Sequence, residues 1–189
     1  MKPLKLDIAL IIVFLTGLAY GTTYIYQRSF QSYYELPTMF IDLNINTLTG
    51  SLFFIILGVI ILLILLSFIT TLILKLEGPF FVNIPLWVLI YFSGLIIVGA
   101  LVSGHEVAEK KEGYMVVKQK EGLFVVVTTY KDNLVIAPLD IKKETIKPKF
   151  QTIEMKDAKD TEVIHFEDGI KVDKLKSSKE LKKETKKGS

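Results

Sequence analysis

Three long stretches of this chain contain no charged side chain. They cover residues 8–26, 48–74 and 84–103, and none of them holds an Asp, Glu, Lys or Arg. The hydrocarbon core of a bilayer is about 30 Å thick, so about 20 helical residues cross it. In lipid, only a helix or a closed barrel satisfies the backbone amides. The sequence therefore predicts an all-α membrane domain with three transmembrane helices. The predicted spans are 6–26, 48–74 and 84–104.

The charged residues are concentrated in the second half of the chain. Residues 1–104 carry four basic and four acidic side chains, which leaves 19 of the 23 basic and 16 of the 20 acidic residues for the rest. The net charge of +3 is too mild for a nucleic-acid-binding face, which usually concentrates basic residues. The chain has no cysteine, so disulfides and thiolate ligands are excluded.

The second half also has a different residue pattern, with short β-branched and aromatic runs between turn residues. These runs predict strands at 114–118, 123–130, 134–139, 150–154, 163–166 and 170–172. The turn signals are Glu121-Gly122, Asp132-Asn133 and Asp168-Gly169, the last being the strongest hairpin signal. The predicted organisation is a transmembrane domain over 1–104, a charged stalk over 105–112, a small antiparallel β domain over 113–173 and a disordered, lysine-rich tail over 174–189.

The predicted loop over 27–47 is rich in aromatic residues. The first helix is expected to continue until Pro37 stops it, and the alternation over 39–45 predicts a half-buried strand. Four side chains in this loop are candidates for contact with a partner. They are Tyr33, Tyr34, Phe40 and Ile41. The alternative is that they fill the seam between the β domain and the bilayer.

Small residues recur at a spacing of four in two of the predicted spans. Gly17 with Gly21, and Gly99 with Ser103, would allow another helix to approach closely. That helix could belong to the same chain or to a second copy. Three spans would place the loop 27–47 and the β domain on one side of the cell membrane. Lys2 and Lys5 favour a cytoplasmic N-terminus and an extracytoplasmic β domain.

The sequence offers little for catalysis. His105 and His165 are far apart in the chain and have no carboxylate at metal-ligand spacing. The carboxylates of the β domain are scattered among lysines, and a paired acid and base would need a cleft that separates their pKa values. We therefore predict a protein that is not an enzyme and binds no cofactor or metal.

Several functions remain open at this point. The leading hypothesis is a surface sensor, binding or partner-anchoring subunit, in the manner of bacterial immunity or antiphage-defence membrane proteins. One alternative is a pore formed by several copies, and another is an accessory subunit of a larger membrane complex. The expected partners are the lipid bilayer, a second copy or another membrane protein, and a protein bound through 113–173. Nucleic acid is not expected.

Overall fold

The computed structural model describes residues 8–44, 48–49, 53, 55–58, 61, 86–173 and 175. The chain forms two compact units. The helical unit comprises Met1–Ser29 and Leu43–Gly104, and the sheet unit comprises Phe30–Asp42 and His105–Ser189. Most of the predicted span 48–74, and the predicted tail 174–189 apart from residue 175, lie outside the described residues.

Two long helices are described, α1 over Ile8–Tyr33 and α2 over Leu86–Glu109. In the helical unit the Ser29 hydroxyl donates a hydrogen bond to the Leu101 carbonyl. In the sheet unit the Tyr33 ring meets the His105 ring edge-on, four residues further along both helices.

Helix α1 ends in a well-defined backbone motif. The Leu36 amide donates to the Gln31 carbonyl, and the Glu35 amide donates to the Ser32 carbonyl. Glu35 has a φ of 59°, so the chain turns through the left-handed region that ends many helices. Pro37 follows at once and cannot continue the helix. The helix therefore stops before the proline, as the sequence predicts.

The prediction of a three-span, all-α membrane fold is wrong. Among the described residues, one helix is long and apolar enough to cross a membrane, over Ile90–Glu109 in α2. The largest regular structure there is a seven-stranded, mostly antiparallel sheet. Lack of charge is a weak criterion for a span, because the charge-free stretch 8–26 also carries hydroxyl side chains such as those of Thr22 and Thr23. The multi-pass topology is not supported, and the sidedness inferred from three spans loses its basis.

The sheet contains seven strands. They are β1 Gly113–Gln119, β2 Gly122–Tyr130, β3 Asn133–Asp140, β4 Thr145–Ile146, β5 Gln151–Glu154, β6 Thr161–His165 and β7 Lys171–Val172. Their order is β6-β1-β2-β3-β4-β7, and β5 pairs with the first half of β3. Neighbouring strands are antiparallel except β4 and β7, which are parallel. The ladder between β2 and β3 has an irregularity between Val126 and Thr128.

Each of the six predicted strands overlaps an observed one. Two other predictions are wrong, namely the strand over 39–45 and the hairpin turn at Asp168-Gly169. The segment predicted as a strand over 39–45 forms a 3-10 turn over Thr38–Phe40, followed by irregular backbone to residue 44. Helix α2 continues to Glu109, within the segment 105–112 that was predicted as a charged stalk with helix-compatible residues over 106–111. Asp168-Gly169 is not a hairpin turn, since it leads from β6 at one edge of the sheet to β7 at the other.

The sheet unit buries apolar side chains on both faces of its sheet. Side chains alternate between faces along a strand, so neighbours such as Phe124 and Val125 enter different clusters. One cluster contains Tyr34, Ala108, Tyr114, Val116, Val125, Val127, Ala137, Ile146, Phe166 and Ile170. The other contains Val117, Phe124, Val126, Leu134 and Ile136. The first cluster therefore includes a residue that follows α1 and a residue of α2.

Candidate functional site

The most tightly organised polar group in the sheet unit is centred on Tyr34. This side chain is fully buried, and its hydroxyl donates to the Ala108 carbonyl at 3.1 Å. The same hydroxyl shares a hydrogen bond of 2.8 Å with the hydroxyl of Tyr114 on β1. A buried phenol needs such partners, because an unpaired hydroxyl in an apolar interior is costly. Tyr34 thus joins the end of α1 to the end of α2 and to the sheet.

Tyr33 extends this group to the last strand. Its hydroxyl donates to the Ile170 carbonyl at 3.1 Å, just before β7. Its ring lies edge-on to Tyr34, with centroids 5.0 Å apart, and edge-on to His105 at 5.6 Å. We call Tyr33, Tyr34 and Tyr114 the tyrosine cluster.

The tyrosine cluster is uncharged at neutral pH. Burial raises the pKa of Tyr34 far above its ordinary value, and the hydrogen bond to Tyr114 raises it further. Burial also raises the pKa of Tyr114, and burial together with the charge of Glu109 raises the pKa of Tyr33. Phenols held in this way do not exchange protons near pH 7. The cluster is therefore suited to holding elements together.

Lys111 lies over the aromatic rings beside this cluster. Its Nζ is 4.6 Å from the centroid of the Tyr114 ring and 5.9 Å from that of Phe30. Both positions are within the range of cation–π attraction. Burial lowers the pKa of the Lys111 ammonium group. Lys111 therefore places a partly buried charge against the aromatic rings just after the end of α2.

The segment after Pro37 is attached to the sheet at a second place. The carboxylate of Asp42 accepts a hydrogen bond of 3.0 Å from the backbone amide of Lys131, in the turn between β2 and β3. Lys131 has a φ of 53°, and the carboxylate satisfies an amide that this turn leaves outside the ladder. The Phe40 ring meets the Tyr130 ring edge-on at 5.8 Å. Residues 30–42 are thus anchored both at the tyrosine cluster and at the hairpin turn.

The four predicted contact residues lie together in this anchored segment. Tyr34 is fully buried, whereas Tyr33, Phe40 and Ile41 are half-buried. Tyr33, Tyr34 and Phe40 make the contacts given above within the sheet unit. Contact of the half-buried residues with a partner stays a prediction.

The four predicted helix-packing residues are all exposed. Gly17 and Gly21 lie on α1, and Gly99 and Ser103 lie on α2. A Cβ atom added at any of the three glycines would meet no described atom within 4 Å. These positions leave room for a neighbouring helix, and packing against one stays a prediction.

Gly169 has a role that the sequence did not reveal. Its φ is +69°, and a Cβ atom there would lie 2.7 Å from the Glu109 carbonyl oxygen and 3.2 Å from that of Lys111. Glycine is therefore required for the backbone after β6 to approach the end of α2. The Asp-Gly signal marks a turn here, but nothing in the sequence indicates this close approach.

The remaining candidates for chemistry are dispersed. His165 Nε2 lies 3.7 Å from a carboxylate oxygen of Glu112, and both side chains are exposed. Within the described residues, no group of three or more His, Asp or Glu side chains is arranged to hold a metal ion. An open depression of about 410 Å³ lies where β3 ends, and its rim carries Lys142 and Lys147.

Part of the chain is similar to a known protein family. Residues 4–78 match the family of the type IV pilus biogenesis protein TfpB. The match covers less than half of the 189 residues and indicates a pilus-related role in a bacterium, as part of a larger protein assembly. It is also compatible, together with the apolar helix α2, with a membrane-associated protein. It lends no support to a sensor, immunity or defence role. No curated protein and no solved structure matches the chain.

The matched segment contributes directly to the sheet unit. It includes residues 30–42, which carry Tyr34 and Asp42, whereas all seven strands lie beyond it. Residues 30–42 of the matched segment therefore belong to the sheet unit, and the rest of the segment belongs to the helical unit.

Proposed function

We propose that this chain is a non-enzymatic, membrane-associated subunit of a type IV pilus biogenesis assembly, in which the sheet unit binds another component. The match over residues 4–78 carries this proposal. Of the functions open at the sequence level, the match favours the accessory subunit of a larger membrane complex.

The packing of residues 30–42 supports a holding role for the sheet unit. Tyr34 and Asp42 attach this segment to the sheet through hydrogen bonds about 3 Å long, at two separate places. A partner that binds the sheet unit would thus be bound by a unit that includes the last turn of α1. A segment attached at two places is held more firmly to the sheet than one attached at a single place.

The tyrosine cluster also supports a non-enzymatic role. Its phenols are the best-organised polar groups of the sheet unit, and the raised pKa values keep them protonated. A general acid or base needs a pKa near the working pH. The cluster fits structural attachment and does not fit proton transfer.

Deletion and complementation of the gene in its bacterial host would test the proposal. We expect deletion to reduce the number of surface pili, counted by electron microscopy, and the full chain to restore it. A Tyr34→Ala chain should restore fewer pili at equal membrane levels, because it loosens the attachment of residues 30–42. A Gly113→Ala chain is the matched control, since a Cβ there meets no described atom within 4 Å. Unchanged pili after deletion would contradict the proposal.

A further inference from the structure

Among the described residues, one edge of the sheet has backbone groups that no neighbouring strand pairs. β6 is the terminal strand and pairs only with β1 among the described strands. The Phe166 amide donates to the Glu112 carbonyl, and the Lys118 amide donates to the Asp160 carbonyl. In an antiparallel ladder, every second residue is hydrogen-bonded to the partner strand. These two bonds therefore determine which residues along the β1–β6 pair are hydrogen-bonded to the opposite strand.

This alternation shows which residues of β6 direct their backbone groups away from β1. Asp160 and Phe166 are hydrogen-bonded on the side facing β1, and every second residue between them shares this orientation. The backbone groups of residues 162 and 164 therefore point towards β1. The amides and carbonyls of Thr161, Val163 and His165 consequently point away from the sheet. They form a row of donors and acceptors with the spacing that an added strand would use.

An exposed apolar pair lies next to this row. Val163 is 77% exposed and Met115 on β1 is 41% exposed. The two residues are direct partners in the ladder, so their side chains stand side by side on the same face of the sheet. An apolar side chain of an added strand would contact both of them.

The edge lacks three of the features by which edge strands usually prevent pairing. Such features include lysine, proline and bulges. The sequence of β6 is Thr-Glu-Val-Ile-His, with no lysine or proline, and its register with β1 is continuous over all five residues. The edge is therefore competent for backbone pairing.

The charge around this edge favours a basic partner. Residues 157–168 include five carboxylates and one lysine. The carboxylates belong to Asp157, Asp160, Glu162, Glu167 and Asp168, and Glu112 lies close to His165. Two copies of the edge paired with each other would bring like charges together, which is destabilising. A strand that carries lysine or arginine would instead be attracted.

We propose that the outer edge of β6 is a strand-addition site for an extended segment of a partner protein, with apolar side chains alternating with lysine or arginine. Main-chain hydrogen bonds to residues 161, 163 and 165 would hold the segment, and the Met115–Val163 pair and the surrounding carboxylates would select it. This inference rests on the proposed role in an assembly and names the chemistry of the partner.

The test uses the full chain in nonionic detergent and a short labelled peptide of alternating lysine and valine. Proline removes one amide donor, and at an outward-facing position it leaves the ladder to the neighbouring strand intact. Val163→Pro removes the central outward amide of β6. Thr152→Pro is the matched control. The Met155 amide donates to the Asp132 carbonyl, so in the alternating β3–β5 ladder the backbone groups of Thr152 point away from β3. Binding would be measured by fluorescence anisotropy.

We expect the peptide to bind and an otherwise identical glutamate–valine peptide not to bind. Val163→Pro should weaken binding at least about tenfold, because hydrogen bonds to the edge are lost. Thr152→Pro should change binding by less than about twofold, because it lies on another strand. Hydrogen exchange at the amides of Thr161, Val163 and His165 should slow when the peptide is added.

Three results would overturn the inference. They are equal binding by the wild-type and Val163→Pro chains, equal binding of the two peptides, and protection of the outward amides before any peptide is added. The last would assign the edge to another part of the chain or to a second copy. If Val163→Pro perturbs the sheet, Glu162→Lys tests the same site through charge, and unchanged peptide binding by it would also count against the inference. Pilus loss on deletion combined with failed peptide binding would refute this inference alone.

Discussion

Helix α2 and the sheet use apolar side chains in opposite ways. Val125, Val135 and Ile136 in the strands are completely inaccessible to water. In the apolar stretch of α2, Val98 and Val102 are each 57% exposed, and only 6% of the stretch is buried within the chain. The sheet buries its own apolar surface, whereas the helix exposes a continuous apolar surface that needs an apolar phase outside the chain. A bilayer supplies such a phase, which agrees with a membrane-associated protein.

This difference predicts which substitutions each region tolerates. In the sheet unit, the size and shape of a side chain should matter because the interior is closely packed. In α2, polarity should matter much more than size, because lipid adapts to shape but does not solvate charge. The four predictions below test this contrast, from the largest expected effect to the smallest.

Removing the buried ring of Tyr34 should have the largest effect. Tyr34→Ala leaves a cavity and removes the partner of Tyr114, and such truncations cost about 3–5 kcal/mol of the free energy of unfolding. Denaturant unfolding of the full chain in detergent, followed by near-ultraviolet circular dichroism, would measure the loss. Tyr24→Ala is the control, since Tyr24 is 39% exposed on α1. Equal effects of the two substitutions would contradict the packing described for residues 30–42.

A charge on the exposed surface of α2 should have the next largest effect. Val98→Lys places an ammonium group near the middle of the apolar stretch, at a cost of about 3 kcal/mol if that surface faces lipid. The fraction of chain that resists alkaline extraction from membranes should fall, whereas Val98→Leu should leave it unchanged. If the lysine chain is retained in the membrane as well as the wild type, the exposed surface of α2 does not lie in lipid.

A single methyl group at Gly169 should destabilise the sheet unit. Gly169→Ala places a Cβ atom against the backbone of Glu109 at a positive φ, and the combined clash and strain should cost about 2–3 kcal/mol. The same unfolding measurement applies. Gly113→Ala has open space around its Cβ and should differ from the wild type by less than about 0.5 kcal/mol. A neutral Gly169→Ala substitution would mean that this backbone approach is absent in solution.

Alkaline pH should weaken the sheet unit through Tyr34. Its pKa is raised in the folded state above the ordinary value of 10.0, so the folded phenol stays neutral at a pH where the unfolded phenol ionises. Its contribution is therefore fully present below pH 10.0 and is lost as the pH rises towards the folded-state pKa. Tyr34→Phe should cost about 1–2 kcal/mol at neutral pH and make the alkaline loss of stability shallower. Identical alkaline profiles for both chains would contradict this role.

The strands of the sheet unit could be predicted because their signals are local. Alternation along β1, β2 and β3, with turn residues such as Gly122 between them, identifies each strand without knowledge of its neighbours. β4 was missed because two residues are too few to show a period. The segment 39–45 alternates like a strand, yet the Asp42 carboxylate bonds to a turn amide and Phe40 belongs to a 3-10 turn. A local period cannot reveal such long-range partners.

The candidate site was predictable only in part. The aromatic residues of the loop were recognised as important, but the complete burial of Tyr34 depends on Ala108 and Tyr114, more than 70 residues away in the chain. The fold class was wrong for a related reason. A charge-free stretch of sufficient length is compatible with a membrane span but does not by itself establish one. The role of Gly169 depends on the approach of the α2 backbone, which no short pattern encodes.

Hydrogen exchange of the full chain in lipid nanodiscs would test the central claim most directly, namely that residues 30–42 fold as part of the sheet unit. The amides of residues 34–36 are hydrogen-bonded in the turn that ends α1, and they should be protected from exchange as long as the amides of β2. Tyr34→Ala should speed exchange both in β1 and in residues 34–36. The account would be contradicted if 34–36 exchanged freely while β2 stayed protected, or if Tyr34→Ala left β1 unaffected.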